Sequence, residues 1–322
     1  MRPILAALAA LTLAACGTSE PAQPEPTESA QAFAGVPPEI AEQIRAAGQS
    51  MDPSSMNLFA DLVAAPPYDD VSIAKDVSYD DAERNVLDIY TANDAEEGSI
   101  RPILLFVHGG GFVQGDKSGD FYPDNVGAWA ARNGMVGINM NYRLAPDNAW
   151  PAGRDDIASV LRWIRQNATE FGGDPGQVIL FGHSAGANHV ADYVGHADRQ
   201  SAEQASVQGA VLLSPAYMAE APEEPNPYYG TDADLTTAAP AIERLGASRV
   251  PIFLAYAEFD PDMFQDFART AQTRMCEGEV QRNCPTVLRL ADHNHFTEGA
   301  SIGSTDQSLT GPLKEWIEEQ VG

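Results

Sequence analysis

Ser184 stands between two glycines in Gly182-His183-Ser184-Ala185-Gly186, directly after the apolar run Val178-Ile179-Leu180-Phe181. A serine in that setting suits nucleophilic acyl transfer. A strand that turns sharply into a helix exposes the hydroxyl at the turn, and flanking glycines remove the side chains that would clash with the strained backbone there. A serine hydroxyl alone is a weak nucleophile. Acyl transfer also needs an imidazole to take its proton, a carboxylate to orient that imidazole, and N–H donors for the oxyanion.

The chain offers six histidines. His108 opens a glycine-rich loop, His183 flanks the serine, and His189 and His196 lie on the helical stretch that follows it, where packing or surface roles suit them. His293 and His295 follow the last strand-like segment and are the candidate bases. Glu258, Asp260 and Asp262 follow the strand-like Ile252 to Tyr256 and compete for the orienting acid. Asp260-Pro261 also reads as a helix start, with the carboxylate as cap, and Asp262 as a first-turn charge.

In His108-Gly109-Gly110-Gly111 the absence of side chains lets backbone N–H groups converge on a small anion. Gly110 and Gly111 are the expected oxyanion donors, together with the N–H of Ala185 at the start of the helix after the serine. Other ligand chemistries fit poorly. Gly115-Asp116-Lys117-Ser118 lacks the Gly-Lys-Ser/Thr order of a phosphate loop, and Asp232 and Asp234 lack the glycine and closing glutamate of a calcium loop. No cofactor and no metal are expected.

Positioning these residues calls for alternating strands and helices. Ile103 to Val107, Met135 to Met140, Val178 to Phe181, Val207 to Leu213, Ile252 to Tyr256 and Thr286 to Leu290 read as strands. Asp155 to Asn167, Ala185 to His196, Met263 to Arg274 and Leu313 to Val321 have helical apolar spacing. The order predicts an α/β fold, a mostly parallel central sheet with helices on both faces. Pro38 to Ala47 and Ser55 to Val63 are expected to form two helices of a small N-terminal cap, about residues 36–68. The proline-rich, acidic stretch from Ala219 to Pro240 reads as an irregular excursion on the active-site side.

Four separated stretches carry a resemblance: His108-Gly109-Gly110-Gly111-Phe112, Asn141-Tyr142-Arg143-Leu144-Ala145-Pro146, Gly172-Gly173-Asp174-Pro175 leading into Gly182 to Gly186, and His293-Asn294-His295-Phe296. In them the chain resembles the α/β-hydrolases of the hormone-sensitive-lipase-like carboxylesterase group. The resemblance implies that His295 is the base, because Asn294-His295-Phe296-Thr297 matches the family's His-Phe-Ser/Thr pattern, with His293 as its rival. It implies that Asp260 is the acid, with Asp262 second, and that His108 braces the glycine loop. The implied activity is hydrolysis of a small to medium acyl or aryl ester through an acyl-enzyme at Ser184, with tolerance for a bulky alcohol. An aryl amide hydrolase of formamidase or peptidase type would use the same triad. A non-catalytic surface lipoprotein that kept the fold as a binding module is disfavoured by the complete set of parts.

The N-terminus predicts export. Arg2 and the apolar Ile4 to Ala14 read as a signal peptide over residues 1–15, too short to span a bilayer. Leu13-Ala14-Ala15-Cys16 resembles a bacterial lipobox, which implies a lipidated Cys16. Gly17 in place of an aspartate implies outer-membrane placement facing the periplasm. Residues 16–35 are rich in Pro, Glu, Ser and Thr and read as a tether to a catalytic domain over 36–322. A formal net charge of −27 argues against nucleic acid and against electrostatic docking on anionic lipid, leaving the lipid anchor as the membrane contact and a small-molecule ester as the partner. Disulfides persist in an exported protein, so Cys276 and Cys284 are expected to pair, tying a helix end to the strand that leads to the histidines.

Overall fold

The computed structural model describes residues 33–96, 98–196, 204–215, 226–230, 241–277 and 283–322. The signal segment, Cys16, the tether as far as residue 32, and most of the 219–240 stretch with Asp232 and Asp234 lie outside the described residues. No helix among the described residues is long and apolar enough to cross a membrane.

The strands are β1 (Val71–Ser78), β2 (Val86–Ala92), β3 (Arg101–Val107), β4 (Val136–Met140), β5 (Gly173–His183), β6 (Val207–Leu213), β7 (Ile252–Ala257) and β8 (Thr286–Leu290). They form one eight-stranded sheet in the order β1-β2-β4-β3-β5-β6-β7-β8. β2 runs antiparallel to β1 and β4, and all pairs from β4 through β8 are parallel. The helices are α1 (Pro38–Ala47), α2 (Asp124–Arg132), α3 (Ala152–Asn167), α4 (Ala185–Gly195), α5 (Ala241–Ala247), α6 (Asp262–Glu277), α7 (Thr297–Ala300) and α8 (Thr310–Val321).

The central strands are apolar on both faces because both are covered, as parallel sheets require. Along β3, Ile103, Leu105 and Val107 enter one core layer with Leu161 of α3 and Val190 of α4, while Leu104 and Phe106 enter the other with Val126 of α2 and Trp316 of α8. The register then decides where chemistry can occur. Val107 pairs with Gly182, His183 with Leu213, Leu213 with Ala255, and Ala257 with Leu290, so β3, β5, β6, β7 and β8 end side by side. The loops leaving those ends carry the glycine run, Ser184, Asp260 and the paired histidines to one edge of the sheet.

The N-terminal segment packs on that edge rather than on a sheet face. Ile40 and Ile44 of α1 join Phe59 and Val63 in a separate apolar cluster with Phe121 and Ala300. The second expected cap helix, Ser55 to Val63, is instead a 3-10 turn over Pro53–Phe59. Asp52 accepts from Ser54 N at 2.9 Å and Pro53 opens the turn. In the Ser-Ser-Met-Asn run that follows, Ser and Asn side chains compete for the backbone, as Ser55 Oγ does by donating to Asp52 O at 2.9 Å. Cys276 at the end of α6 is disulfide-bonded to Cys284 just before β8.

Candidate active site

β5 enters α4 through a single residue. Ser184 has φ 53° and ψ −121°, a conformation that L-residues rarely adopt. Its N–H is held by Leu213 O at 2.8 Å. The turn is possible because its neighbours are bare: a Cβ on Gly182 would strike the backbone of Gly186 and Ala187, and one on Gly186 would strike Val107 O. The strain is thus imposed by close packing of β5, α4 and β3.

His295 arrives from the loop after β8. Its Nε2 lies 2.9 Å from Ser184 Oγ, and its Nδ1 lies 2.9 Å from Asp260 Oδ1. A carboxylate can only accept, so Nδ1 carries the proton and Nε2 presents a lone pair to the serine hydroxyl. The loop is shaped by Asn294, whose Oδ1 accepts from Phe296 N and Thr297 N, both at 3.1 Å. Phe264 packs over the imidazole with ring centres 4.2 Å apart.

Asp260 divides its two oxygens. Oδ1 faces His295, while Oδ2 accepts from Ala257 N at 2.7 Å and from Ser214 Oγ at 2.6 Å. The helix-capping alternative is therefore not what this carboxylate does. Asp262 meets Gln49 at 2.9 Å, and Glu258 meets Arg289 at 2.9 Å and the N–H of Asp292. His293 is buried on Asp306, at 2.8 Å, and stacks on Phe59. Those three rivals do not meet Ser184 or His295.

The glycine loop lies beside the serine. Gly110 has φ +122° and Gly111 φ +60°, and a side chain on Gly110 would fall on the carbonyl of Gln114. His108 does brace this loop. Its Nδ1–H donates to Gly109 O at 2.6 Å, its ring stacks on Tyr142, and burial pushes the imidazole down to about 4, keeping it neutral. Behind the loop, Phe112 stacks on Tyr228 with centres 4.8 Å apart and meets His189 edge-on.

These residues open into a cavity of about 620 Å³. Ser184, Ala185, His295 and Gly109 to Gly111 form its floor, and Met51, Met56, Met263, Phe264 and Phe296 supply apolar wall. Met51 and Met56 bring the N-terminal segment to the wall of the same cavity.

Several polar residues at the site carried no role in the sequence. His183 Nε2–H donates to His295 O at 2.9 Å, and Tyr122 O–H donates to His183 Nδ1 at 2.7 Å. Burial pushes His183 down to about 3, so this strut stays neutral. Ser214, at the end of β6, and Glu298, on α7, lie beneath the Asp260 carboxylate side of the site. Only the strand register makes them neighbours, and no local pattern signals it. Among the described residues, His183, His295 and Glu298 are the group whose ligand-type atoms come within 4.8 Å of one another. Their imidazole nitrogens are committed to Tyr122, His295 O, Ser184 and Asp260, so they make a poor metal site.

Residues 104–251 match a family model described as alpha/beta hydrolase fold. The chain is 29% identical over 270 residues to versiconal hemiacetal acetate esterase of Dothistroma septosporum, covering 83% of this chain and 75% of that protein. It is 37% identical over 142 residues to arylacetamide deacetylase of Bos taurus, which takes in 42% of this chain and 34% of the bovine one. Among solved structures, a hyperthermophilic esterase from Pyrobaculum calidifontis superposes with a TM-score of 0.66 at 18% identity, over 88% of this chain and 98% of that one. A fungal esterase from Rhizomucor miehei gives 0.63 at 19% identity, over 89% and 98%. Sheet order, the turn at Ser184 and these likenesses agree: the chain has the α/β-hydrolase fold.

Proposed function

We propose that the protein is a serine carboxylic-ester hydrolase acting on small to medium acyl or aryl esters, with Ser184 as nucleophile, His295 as base and Asp260 as orienting acid. The observation that carries this reading is the unbroken line from Ser184 Oγ through His295 to Asp260 Oδ1, both links 2.9 Å, opening on the glycine loop. Ser184 Oγ attacks the ester carbonyl as its proton passes to His295 Nε2. The N–H groups of Gly110, Gly111 and Ala185 receive the oxyanion, and one such donor typically contributes about 3 kcal/mol to the transition state. His295 returns the proton to the leaving alcohol, and water repeats the sequence on the acyl-enzyme. Asp260 remains ionised throughout and holds the imidazolium.

The sulfur and aromatic walls of the cavity suit an apolar acyl or aryl group. Its 620 Å³ sets the scale at a small molecule. A second reading, hydrolysis of an aryl amide, is favoured by the likeness to the bovine deacetylase. Matched p-nitrophenyl esters and p-nitroanilides of acetyl, butyryl and benzoyl groups test the choice. The proposal expects kcat/KM for each ester to exceed that of its anilide by at least 10³-fold beyond their difference in water, an arithmetic loss of about 4 kcal/mol in transition-state binding. Equal acceleration of both series overturns it in favour of the amide.

We further propose that Cys16 is lipidated after removal of residues 1–15 and that the segment after it tethers the enzyme to the outer membrane from the periplasmic side, as the lipobox-like sequence supports. Replacement of Cys16 by Ala is expected to release the protein from the membrane fraction, and retention there contradicts the anchor.

A further inference from the structure

Glu298 is completely buried on α7, three residues after His295, and the reaction as derived does not use it. Among the described residues, neither of its carboxyl oxygens has a donor at hydrogen-bond geometry. An ionised carboxylate does not tolerate such a setting, since burial removes its water and nothing replaces it.

The neighbours cannot supply the missing proton. From the end of β5, His183 Nε2 lies 3.4 Å from Glu298 Oε1, but its N–H is already given to His295 O at 2.9 Å. From the end of β6, Ser214 has one proton and donates it to Asp260 Oδ2 at 2.6 Å. Asp260, from the loop after β7, is itself a negative neighbour, and Tyr122, ahead of α2, gives its proton to His183. His295 on the same loop gives its N–H to Asp260. Burial first, and then the Asp260 charge, hold the Glu298 carboxyl well above the usual carboxylate range. A protonated acid needs an acceptor, and the neighbouring Ser214 Oγ, whose own proton is on Asp260 Oδ2 at 2.6 Å, keeps lone pairs for one.

We propose that Glu298 is a positioning residue of the triad: as a neutral carboxylic acid it donates its O–H to Ser214 Oγ, which keeps the Ser214 proton on Asp260 and Asp260 on His295. The inference rests on reading Ser184, His295 and Asp260 as an ester-hydrolysing triad. It has an electrostatic corollary. With Glu298 neutral, Asp260 is the negative charge that His295 feels. An ionised Glu298 would add a second and stabilise the imidazolium before attack, raising the pH at which the base becomes available.

The experiment uses the full chain and p-nitrophenyl acetate, measuring kcat, KM and the pH profile of kcat/KM for Glu298→Gln, Glu298→Met, Ser214→Ala and the Met/Ala double variant. Glu298→Met is expected to lower kcat about tenfold with KM within about twofold. Glu298→Gln, which keeps shape, neutrality and a donor, is expected to rescue most of that loss and to leave the acidic limb in place. In the Ser214→Ala background Glu298→Met is expected to cost nothing further, because its acceptor is gone. The proposal is overturned if Glu298→Gln is as slow as Glu298→Met, if its acidic limb moves down by about one pH unit as removal of a charge demands, or if the Met and Ala losses simply multiply. Should Glu298→Met fail to fold, the rate and pH limb of Glu298→Gln decide alone. Ser184→Ala run alongside separates the two readings. A slow Glu298→Gln in a protein whose hydrolysis depends on Ser184 overturns this inference only, whereas hydrolysis that survives Ser184→Ala overturns the esterase reading as well.

Discussion

His183 Nε2 lies 2.9 Å from the carbonyl oxygen of His295, so the residue before the serine holds the backbone of the residue that faces it. The elbow after β5 and the loop after β8 are thereby one unit, and Tyr122 fixes the strut from its far side at 2.7 Å. Removing it should loosen the distance between Ser184 and His295 without touching the cavity wall that meets the acyl group. Replacement of His183 by Ala is therefore expected to lower kcat about tenfold or more while KM stays within about twofold. Steady-state kinetics on one ester check this, and a loss confined to KM contradicts it.

The glycine loop supports a graded test. A methyl group on Gly110 has both a positive φ and the Gln114 carbonyl against it, whereas one on Gly111 has only the φ, with nothing within 4 Å. Gly110→Ala is expected to reduce kcat about 10²-fold or more, the scale of a lost oxyanion donor. Gly111→Ala should cost less, with a backbone penalty of about 1 kcal/mol. Equal losses from the two substitutions contradict the loop geometry.

Buried imidazoles make the fold sensitive to acid. Burial pushes His189 down to about 3, among Phe112, Tyr142 and Tyr228, and both ring nitrogens lack partners among the described residues. Its folded-state pKa is depressed below the ordinary 6.5. Its share of stability is therefore present above pH 6.5 and lost as pH falls toward about 3, by up to roughly 1.4 kcal/mol per pH unit. Burial lowers His108 and His183 with the same sign. Urea denaturation of His189→Leu from pH 7.5 to 4.5 should show a slope shallower than the parent's by one proton. Parallel curves contradict a neutral buried His189.

The bridge between Cys276 and Cys284 closes a short loop, with a sequence separation of 8. Chain entropy assigns such a loop about 2.5 kcal/mol. Replacing both cysteines by serine is expected to lower the unfolding free energy measured in urea by that amount while leaving kcat within about twofold, because the bridge lies outside the cavity lining. A stability unchanged within error contradicts a bridge formed in the mature protein.

What could be read in the residue order depended on how local its cause was. β3, β6 and β7 were legible because strands buried on both faces are apolar runs, and α3 because its apolar residues recur at helical spacing on a packed face. β1 and β2 gave no such run. β1 is an edge strand with mostly exposed residues, and β2 carries a buried Asp88, met by Lys117 at 3.1 Å and by the N–H of Asp76 at 2.8 Å. α2 is a short helix of nine residues that carries Gly127, a poor helix former kept bare because it is pressed on Tyr90. At the site, Ser184 and the glycine loop announce themselves through local backbone strain. Asp260 against Asp262, and His295 against His293, rest on which side chain faces the serine, and residue types alone leave both pairs open. Ser214 and Glu298 were out of reach, since they meet Asp260 only through the pairing of β6, β7 and β8.

The most direct measurement is fluorophosphonate labelling of the mature protein with peptide mapping, alongside p-nitrophenyl ester hydrolysis by parent and Ser184→Ala. The account predicts one label, on Ser184, and a loss of hydrolysis of about 10³-fold or more in the variant. Labelling elsewhere, or hydrolysis unchanged in Ser184→Ala, contradicts it.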